Sequence, residues 1–394
     1  MTKLSERVLS MEESVTLKAA AKAKQLASQG RDILPLTLGQ PDFVTPQNIQ
    51  EAAIAAITDG RASFYTQASG LPELKEAVGT YFEQFYGYTI SPNQVVAGTG
   101  AKFILYAFFM TVINPLDEVI IPTPYWVSYA DQIKMAEGVP VFVDATQENH
   151  FKVTVEQLEA ARTTKTKVLL LNSPSNPTGM VYTREELQAI GDWAVAHDIL
   201  ILADDIYGRL VYNGTTFTPI SSLSEAIKKQ TVVINGVSKT YAMTGWRVGF
   251  AVGDSEIIAG MSKIISQTTS NLTTVSQYAA IEALTGSQDT VETMRQAFEE
   301  RLNTIYPLLC EVPGFEVVKP QGAFYFFPNV TKAMEMKGYT NVTDFNDAIL
   351  EETGVALVTG EGFGAPENVR LSYATDLDTL KEAVSRLRAF MEAE

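Results

Sequence analysis

Short apolar runs alternate with helical patterns along residues 94–252, and this alternation constrains the fold more than any other feature of the 394-residue chain. The runs are β-branched and apolar throughout, as expected for strands that are covered on both faces. Helical patterns at 102–113 and 183–198 separate some of them. The sequence therefore predicts an α/β fold with a mostly parallel sheet flanked by helices. The predicted strands are 94–98, 118–122, 139–144, 167–172, 199–203, 231–235 and 248–252.

The sequence changes character after about residue 285, where Glu- and Arg-rich helical segments precede short strands. We predict a large domain over residues 46–285. A smaller α+β domain is predicted from residues 286–394 together with residues 1–45, because Pro35, Pro41 and Pro46 mark an extended crossing between the two. A helix is predicted at 292–309, and strands are predicted at 315–319, 323–327, 355–358 and 369–372.

Composition excludes several classes of partner. The net charge is −16 and the pI is near 4.7, which argues against nucleic acid or an anionic membrane because both need basic patches. Cys310 is the single cysteine, so no internal disulfide is possible. The polar N-terminus lacks the apolar stretch of a signal peptide, and no run of 18 apolar residues occurs. We expect a cytoplasmic protein that acts on small molecules.

Lys239 stands just beyond a predicted buried strand, where an ordinary surface charge is poorly placed. A lysine in this position is suited to be a desolvated amine that forms a Schiff base with a carbonyl cofactor. Arg247, eight residues later, could hold the phosphate of such a cofactor with a two-pronged guanidinium.

Other polar or small residues follow the predicted strands in the same way. Ligands of open α/β sheets bind beyond the carboxyl ends of the strands. Gly100, Asn176, Asp204 and Lys239 follow four different strands. Because all four residues follow a strand, we predict a binding site at the edge of the sheet where these strands end.

Residues 172–179 (NSPSNPTG), 204–207 (DDIY) and 238–249 closely resemble the fold-type I aminotransferases, which use pyridoxal phosphate. The similarity continues, in family order, through residues 38–43, 65–74, 124–129 and 370–373. It covers nearly the whole chain. The sequence is most similar to the bacterial class I branch of aspartate or aromatic aminotransferases.

The resemblance implies a role for each residue around the cofactor ring. Lys239 would form the internal aldimine with the cofactor and later move the substrate Cα proton. Asp204 would keep the pyridine nitrogen protonated, because a neighbouring carboxylate raises the pKa of that nitrogen. Asp205 would point elsewhere, since side chains alternate along a strand. Tyr207 and Asn176 would hydrogen-bond the phenolic oxygen of the cofactor.

A phosphate subsite is expected where a strand turns into a helix. Gly100 and Ala101 lie at that point, and a helix N-terminus attracts anions. Lys102, Ser238 and Arg247 would add contacts to the phosphate.

The remaining implied roles concern the substrate and the partner subunit. Trp126 would stack on the cofactor ring and contact the substrate. Arg370 would bind the substrate α-carboxylate with its rigid fork, and Gly39 would let the backbone approach the substrate. Its loop, with a helix predicted at 5–27, could close over the site. The resemblance also implies a homodimer, in which Tyr65 reaches the phosphate of the neighbouring subunit.

The amino donor is less constrained. Some relatives place a basic residue two turns into the helix after the phosphate loop, and Met110 occupies that position here. Ser14, Thr16 or Lys102 could bind a side-chain carboxylate instead, while nearby apolar residues would suit an aromatic side chain. We expect aspartate and 2-oxoglutarate as substrates, with an aromatic or broad-specificity aminotransferase as the alternative.

Other classes of protein remain as alternatives. The same scaffold could run β-elimination, as in a C–S lyase, or decarboxylation, because the reaction depends on which Cα bond stands perpendicular to the ring. A cofactor-binding regulator would need a DNA-binding segment, which is missing. A nicotinamide dehydrogenase is disfavoured because the glycine fingerprint around Gly98 and Gly100 is incomplete.

Overall fold

The computed structural model describes residues 3–9, 11 and 15–393. In this part of the chain the strands are β1 (Leu34–Pro35), β2 (Val95–Thr99), β3 (Glu118–Thr123), β4 (Val139–Asp144), β5 (Thr166–Asn172), β6 (Leu200–Asp204), β7 (Thr231–Gly236), β8 (Val248–Val252), β9 (Tyr325–Phe326), β10 (Val355–Ala356), β11 (Val358–Thr359) and β12 (Val369–Ser372).

The helices of the same residues are α1 (Glu6–Leu9), α2 (Val15–Ser28), α3 (Gln47–Thr58), α4 (Pro72–Tyr86), α5 (Gly100–Val112), α6 (Ser128–Met135), α7 (Val155–Ala161), α8 (Arg184–Ala196), α9 (Glu225–Gln230), α10 (Ser255–Thr268), α11 (Thr274–Thr285), α12 (Asp289–Cys310), α13 (Thr331–Lys337), α14 (Val342–Thr353) and α15 (Leu377–Glu392). Within this part of the chain, none of the helices combines the length and the apolar character needed to span a bilayer.

A seven-stranded sheet forms the centre of the molecule, in the order β2-β8-β7-β6-β5-β3-β4. Only β8 runs antiparallel to its neighbours β2 and β7, and the remaining pairs are parallel. The predicted mostly parallel sheet is therefore confirmed. Because six strands point the same way, the carboxyl ends of β2, β5, β6 and β7 meet at one edge.

Helices cover both faces of this sheet, as the apolar strands require. On one face α5, α6 and α10 pack through a core that includes Ile104, Phe108, Ile133 and Met261. The other face is covered by α3, α4, α8, α9 and α11. At the start of α8 the Thr183 hydroxyl accepts from the Glu186 N–H at 3.2 Å, and the Glu186 carboxylate accepts from the Thr183 N–H at 2.7 Å. This reciprocal capping fixes where α8 begins.

Two small sheets hold the C-terminal part together. One is antiparallel, in the order β11-β12-β9, and the other pairs β1 with β10 in parallel. The β1–β10 pair joins the N-terminal segment to the C-terminal part. Helices α12 and α15 pack around a common core that includes Phe298, Leu302, Tyr325, Leu371 and Leu387. The domain boundaries themselves stay predictions.

Three predicted elements differ from the structure. The strand predicted at 355–358 is two short strands, β10 and β11, which belong to different sheets. The strand predicted at 315–319 is wrong, because only Glu316 forms a bridge there, with Asn329. Pro320 follows directly and has no N–H to extend a ladder. The helix predicted at 5–27 is described as α1 and α2, and part of the segment between them lies outside the described residues.

Candidate active site

A cavity of about 290 Å³ opens at the carboxyl edge of the central sheet. Segments from both ends of the chain close it from the other side. Most of the predicted site residues line this cavity, namely Gly39, Ala101, Lys102, Trp126, Asn176, Asp204, Tyr207, Ser238, Lys239, Arg247 and Arg370.

Lys239 lies three residues after β7, and its amine reaches across to the N-terminal segment. The amine donates a hydrogen bond to the Gly39 carbonyl, with an Nζ–O distance of 2.5 Å. Burial, together with the positive charges of Arg247 and Arg370, lowers the pKa of the Lys239 amine to about 8, while the nearby Asp204 carboxylate opposes this change. An amine of this kind can lose its proton near neutral pH.

Asp204 is the last residue of β6 and is buried. The Tyr129 hydroxyl donates to Asp204 Oδ2 at 2.7 Å, and the Ile206 N–H donates to Oδ1 at 3.3 Å. Burial raises the pKa of the Asp204 carboxyl to about 6, while these two hydrogen bonds and the Lys239 charge oppose the rise. The carboxylate is thus held in a fixed orientation toward the cavity.

The neighbouring carboxylate, Asp205, points to the opposite face of the sheet, as strand alternation predicts. There it accepts a hydrogen bond from the Tyr86 hydroxyl at 3.0 Å, and Asn235 donates to the same hydroxyl at 3.1 Å. Burial raises the pKa of Asp205 to about 8. Asp205 does not line the cavity, so the two adjacent acids have different surroundings.

Arg370, on β12, is only 2% exposed and points into the cavity. Its Nη1 donates to Asn176 Oδ1 at 3.0 Å, and its Nη2 donates to the Thr37 carbonyl at 2.8 Å. The guanidinium carbon lies 4.5 Å from the Tyr325 ring centre. These contacts fix the planar fork before any ligand arrives, which favours two-pronged recognition of a carboxylate.

A chain of hydrogen bonds connects Asn176 to the strand that carries Asp204. The Asn176 N–H donates to Asn172 Oδ1 at 2.9 Å, and Asn172 Nδ2 donates to the Asp204 carbonyl at 2.8 Å. Nearby, the hydroxyls of Tyr207 and Tyr325 are 2.8 Å apart. The cavity therefore has a rigid polar floor.

The N-terminus of α5 faces Arg247. Gly100 begins this helix with a φ of +80°, and a Cβ at Gly100 would lie 2.5 Å from Arg247 Nη2. Arg247 itself has a φ of +59°. Free N–H groups of a helix start and a guanidinium that converge in this way form a binding site for a phosphate.

Lys102 and Trp126 stand together at the cavity rim. The Lys102 ammonium lies 4.8 Å from the Trp126 ring centre, and Trp126 packs edge-to-face on Tyr129 at 5.3 Å. Partial burial lowers the pKa of Lys102, and Arg247 adds to this effect. Trp126 is thereby held as a wall of the cavity.

Two residues singled out in the sequence, Tyr65 and Met110, lie elsewhere. Tyr65 is 91% exposed and does not line the cavity of its own chain. Met110 lies on the exposed side of α5, also away from the cavity. Ser14 lies outside the described residues, whereas Thr16 does line the cavity.

Sequence reasoning assigned no role to three residues that the structure brings into the site. Tyr129 follows Trp126 by three residues, a spacing that places both on one side of a helical turn and could have marked it. Thr37 and Tyr325 gave no such signal, because they reach Arg370 only through pairing between distant parts of the chain.

The residues present fit a phosphorylated pyridine aldehyde. The cavity offers a partly desolvated amine for the aldehyde, a buried carboxylate for the ring nitrogen and a cationic helix start for the phosphate. These groups are Lys239, Asp204 and the α5 N-terminus with Arg247. The arrangement matches the chemical groups of pyridoxal phosphate.

Comparison with known proteins agrees with this geometry. The family model "Aminotransferase class I and II" matches residues 31–387. The asparagine–oxo-acid transaminase of Streptococcus mutans is 76% identical over 392 residues, covering 100% of both chains. The aspartate aminotransferase of Geobacillus stearothermophilus is 53% identical over 99% of both chains.

Solved structures agree as well. The aspartate aminotransferase of Thermus thermophilus, solved with maleate, superposes with a TM-score of 0.93 at 38% identity, covering 99% of this chain and 100% of that one. The family is dependent on pyridoxal phosphate and transfers amino groups between amino acids and oxo acids. The present chain belongs to the class I and II aminotransferases.

Proposed function

We propose that this aminotransferase moves the amino group of aspartate to 2-oxoglutarate. The observation that carries the proposal is the placement of Arg370 and Lys102 in one cavity, which Lys239 and Arg247 also line. Arg370 is buried in the floor, and Lys102 stands exposed at the rim. A dicarboxylate could bind one cation at each end. Both proposed substrates are dicarboxylates.

Lys239 is proposed as the base that moves the substrate Cα proton. Pyridoxal phosphate, when bound, supplies an aldehyde for the amino group and a ring that withdraws electrons from the adjacent carbon. The Lys239 amine has a pKa of about 8, so a useful fraction is unprotonated near neutral pH. A base positioned in this way contributes a factor of roughly 10²–10⁴ to the rate.

Asp204 is proposed to hold the positive charge of the cofactor ring in place. Its burial means that a neighbouring cation is attracted through a low-dielectric medium, where the attraction is strong. Tyr129 fixes the carboxylate by its 2.7 Å hydrogen bond. Tyr207 and Asn176 are proposed to bind the ring's phenolic oxygen, and Trp126 to stack on the ring.

The α5 N-terminus with Gly100 and Ala101 is proposed to bind the cofactor phosphate, together with Ser238 and Arg247. Arg370 is proposed to bind the substrate α-carboxylate, aided by Asn176. Gly39 is proposed to let the backbone approach the substrate, because a Cβ there would lie 2.5 Å from the Tyr325 hydroxyl oxygen. Lys102 was predicted as a contact of the phosphate or of a side-chain carboxylate. We propose the second role, because its ammonium lies beside Trp126, 4.8 Å from the ring centre.

Two other donors have support. Asparagine is favoured by the 76% identity to a Streptococcus mutans protein named asparagine–oxo-acid transaminase. An aromatic or broad range of donors is favoured by the apolar part of the cavity wall, which consists of Leu17, Leu38, Leu105 and Val127.

We also propose a homodimer in which Tyr65 enters the neighbouring site. Its support is a row of exposed apolar side chains near Tyr65, since monomers rarely expose such groups together. Ile54, Ile57 and Phe64 are 60%, 61% and 73% exposed.

We also propose a division into a large domain (46–285) and a small domain (1–45 with 286–394). A cytoplasmic location is proposed as well, and the single cysteine supports it.

The donor is tested by measuring turnover with 2-oxoglutarate and a series of amino acids. Aspartate should exceed tyrosine, phenylalanine and alanine in kcat/KM. In Lys102→Gln, the KM for aspartate should rise roughly tenfold, while the KM for asparagine changes little, because asparagine has no side-chain carboxylate. Equal changes for both donors, or a preference for aromatic donors, would contradict the proposal.

A further inference from the structure

We infer that Asp42 and Arg301 form a clamp that positions residues 37–39 in the active site. Arg301 Nη1 lies 2.7 Å from Asp42 Oδ1, and Nη2 lies 2.8 Å from Oδ2, so the pair is bidentate. Arg301 belongs to α12, whereas Asp42 follows Gly39 by three residues. The pair therefore joins the C-terminal part of the molecule to the segment that crosses the cavity.

Residues 37–39, here called the crossing segment, contact Arg370 and Lys239 through the backbone. The Thr37 carbonyl accepts from Arg370, at 2.8 Å, and the Gly39 carbonyl accepts from Lys239, at 2.5 Å. A shift of this segment would change the surroundings of both cations together. The inference rests on the proposed roles of Lys239 and Arg370.

The surroundings of the clamp distinguish it from an ordinary surface ion pair. The Arg301 side chain is only 12% exposed, and that of Asp42 is 30% exposed. The guanidinium carbon lies 5.5 Å from the Phe43 ring centre and 5.3 Å from that of Phe298. A charged fork packed against two neighbouring rings loses little further freedom when it binds a carboxylate.

A second anchor lies beyond Asp42 and ties the chain to the loop that carries Lys239. The Thr45 hydroxyl donates to the Ala242 carbonyl at 2.9 Å, and Trp246 Nε1 donates to Thr45 Oγ1 at 2.9 Å. The chain after Gly39 is thus fixed on one side by Arg301 and on the other by the Lys239 loop. The position of the Gly39 carbonyl follows from both anchors.

The clamp should influence the basicity of Lys239. A carbonyl that accepts from an amine favours its protonated form, so loss of this contact lowers the amine pKa. A hydrogen bond of ordinary strength corresponds to a shift of about half to one pH unit. The Thr37 contact should act on substrate binding instead, because it orients Arg370.

The test uses the full-length, cofactor-loaded enzyme with the variants Arg301→Lys and Asp42→Asn. The first keeps the charge but loses the fork, and the second keeps the shape but loses the charge. Asp32→Asn is the matched control. Asp32 lies seven residues before Gly39 and also pairs with an arginine of the C-terminal part, Arg386, at 2.5 Å, but it does not line the cavity.

Three quantities are measured for each variant: the pH profile of kcat, KM for the donor, and the midpoint of thermal unfolding. In both clamp variants we expect the acid limb of kcat to move down by about half a pH unit and KM to rise roughly threefold or more. The control should change only the unfolding midpoint. A double variant, Asp42→Asn with Arg301→Lys, should resemble the single variants, because either change already opens the clamp.

Clamp variants that match Asp32→Asn in both the pH profile and KM would overturn the inference. A lower unfolding midpoint without those two changes would mean that the pair only stabilises the fold. The comparison uses whichever amino donor the wild type turns over best. Failure of aspartate as donor would therefore contradict the proposed function without deciding the result for the clamp.

Discussion

At the scale of single residues, the buried carboxylate Asp204 depends on a hydrogen bond from Tyr129, a residue to which the sequence assigned no role. Burial raises the carboxyl pKa to about 6, and the Tyr129 hydroxyl, which donates at 2.7 Å, opposes this rise. The ionised form is the one that attracts a protonated ring nitrogen. Tyr129 therefore supports the charge of Asp204 indirectly.

We expect Asp204→Ala to retain cofactor but to lower kcat by at least about a hundredfold, because the ring nitrogen loses its counter-charge. Tyr129→Phe should lower kcat far less, by roughly three- to tenfold, and most at acidic pH, where Asp204 becomes protonated. The measurement is kcat from pH 5 to 9, with the bound cofactor counted by its absorbance. A Tyr129→Phe profile parallel to that of the wild type would contradict this role.

Asp205 provides a prediction about stability. Burial raises its pKa from 3.8 to about 8. Its neutral form favours the folded state, so this contribution is fully present below pH 4 and is lost as the pH rises through about 8. Asp205→Asn keeps an oxygen for the Tyr86 hydroxyl but cannot ionise.

The Asp205→Asn variant should therefore lose less stability than the wild type between pH 5 and pH 9. Urea unfolding at several pH values measures this difference. We expect similar free energies of unfolding near pH 4 and a growing advantage for the variant toward pH 8. Curves that keep a constant separation would show that Asp205 titrates as it does in the unfolded chain.

The sequence predicted individual site residues where one local pattern carried the information. Lys239, Asp204 and Asn176 follow strands, and the structure places all three in one cavity. Thr37 and Tyr325 escaped prediction because they act on Arg370 only after β1 pairs with β10 and β9 pairs with β12. Contacts between distant segments produce no local sequence pattern from which they could be predicted.

At the scale of elements, the antiparallel strand β8 lets the start of α5 lie directly on the sheet. A Cβ at Gly249 would lie 2.3 Å from the Ala101 nitrogen and 2.5 Å from the Gly100 carbonyl carbon. Strand and helix start are thus in backbone contact. The proposed phosphate subsite depends on the absence of one side chain in β8.

Gly249→Ala should push the α5 start outward, lower the free energy of unfolding by about 2 kcal/mol and weaken cofactor binding. Gly245→Ala is the control, since a Cβ there meets no atom within 4 Å. Chemical unfolding and titration with pyridoxal phosphate check the two effects. Equal affinities in both variants would contradict a phosphate site at this helix start.

Strand prediction succeeded where apolar residues filled nearly the whole run. The runs at 139–144 and 248–252 coincide with β4 and β8. It failed at 315–319, where Glu316 and Lys319 interrupt the apolar residues, Pro320 follows and a single bridge forms. A short amphipathic run is decided by its pairing partner, which the sequence does not reveal.

At the scale of the whole molecule, the exposed Tyr65 and its apolar neighbours leave the proposed site incomplete in one chain. If Tyr65 acts in the neighbouring site, two inactive variants should restore each other. Lys239→Ala and Tyr65→Ala subunits, mixed under conditions of subunit exchange, should recover about a quarter of the wild-type sites, because only mixed dimers contain an intact site.

Turnover after mixing, compared with each variant alone, gives the result, and sedimentation establishes that dimers are present. A mixture of Lys239→Ala with Asp204→Ala gives the background turnover. Both residues line the same cavity, so each site of a mixed dimer lacks one of them and stays inactive. Recovery no higher than that background would place Tyr65 in its own subunit's site or outside any site.

The bond between Lys239 and the Gly39 carbonyl has a consequence for how such an enzyme can be varied. No side chain at position 39 takes part in it, so no exchange of one natural amino acid for another at that position deletes the acceptor. Its strength can be altered only by moving the peptide or by changing the peptide chemistry, for instance with an ester in place of the following amide. The contribution of this hydrogen bond to the basicity of the lysine can therefore be changed by mutation only through residues that position the main chain.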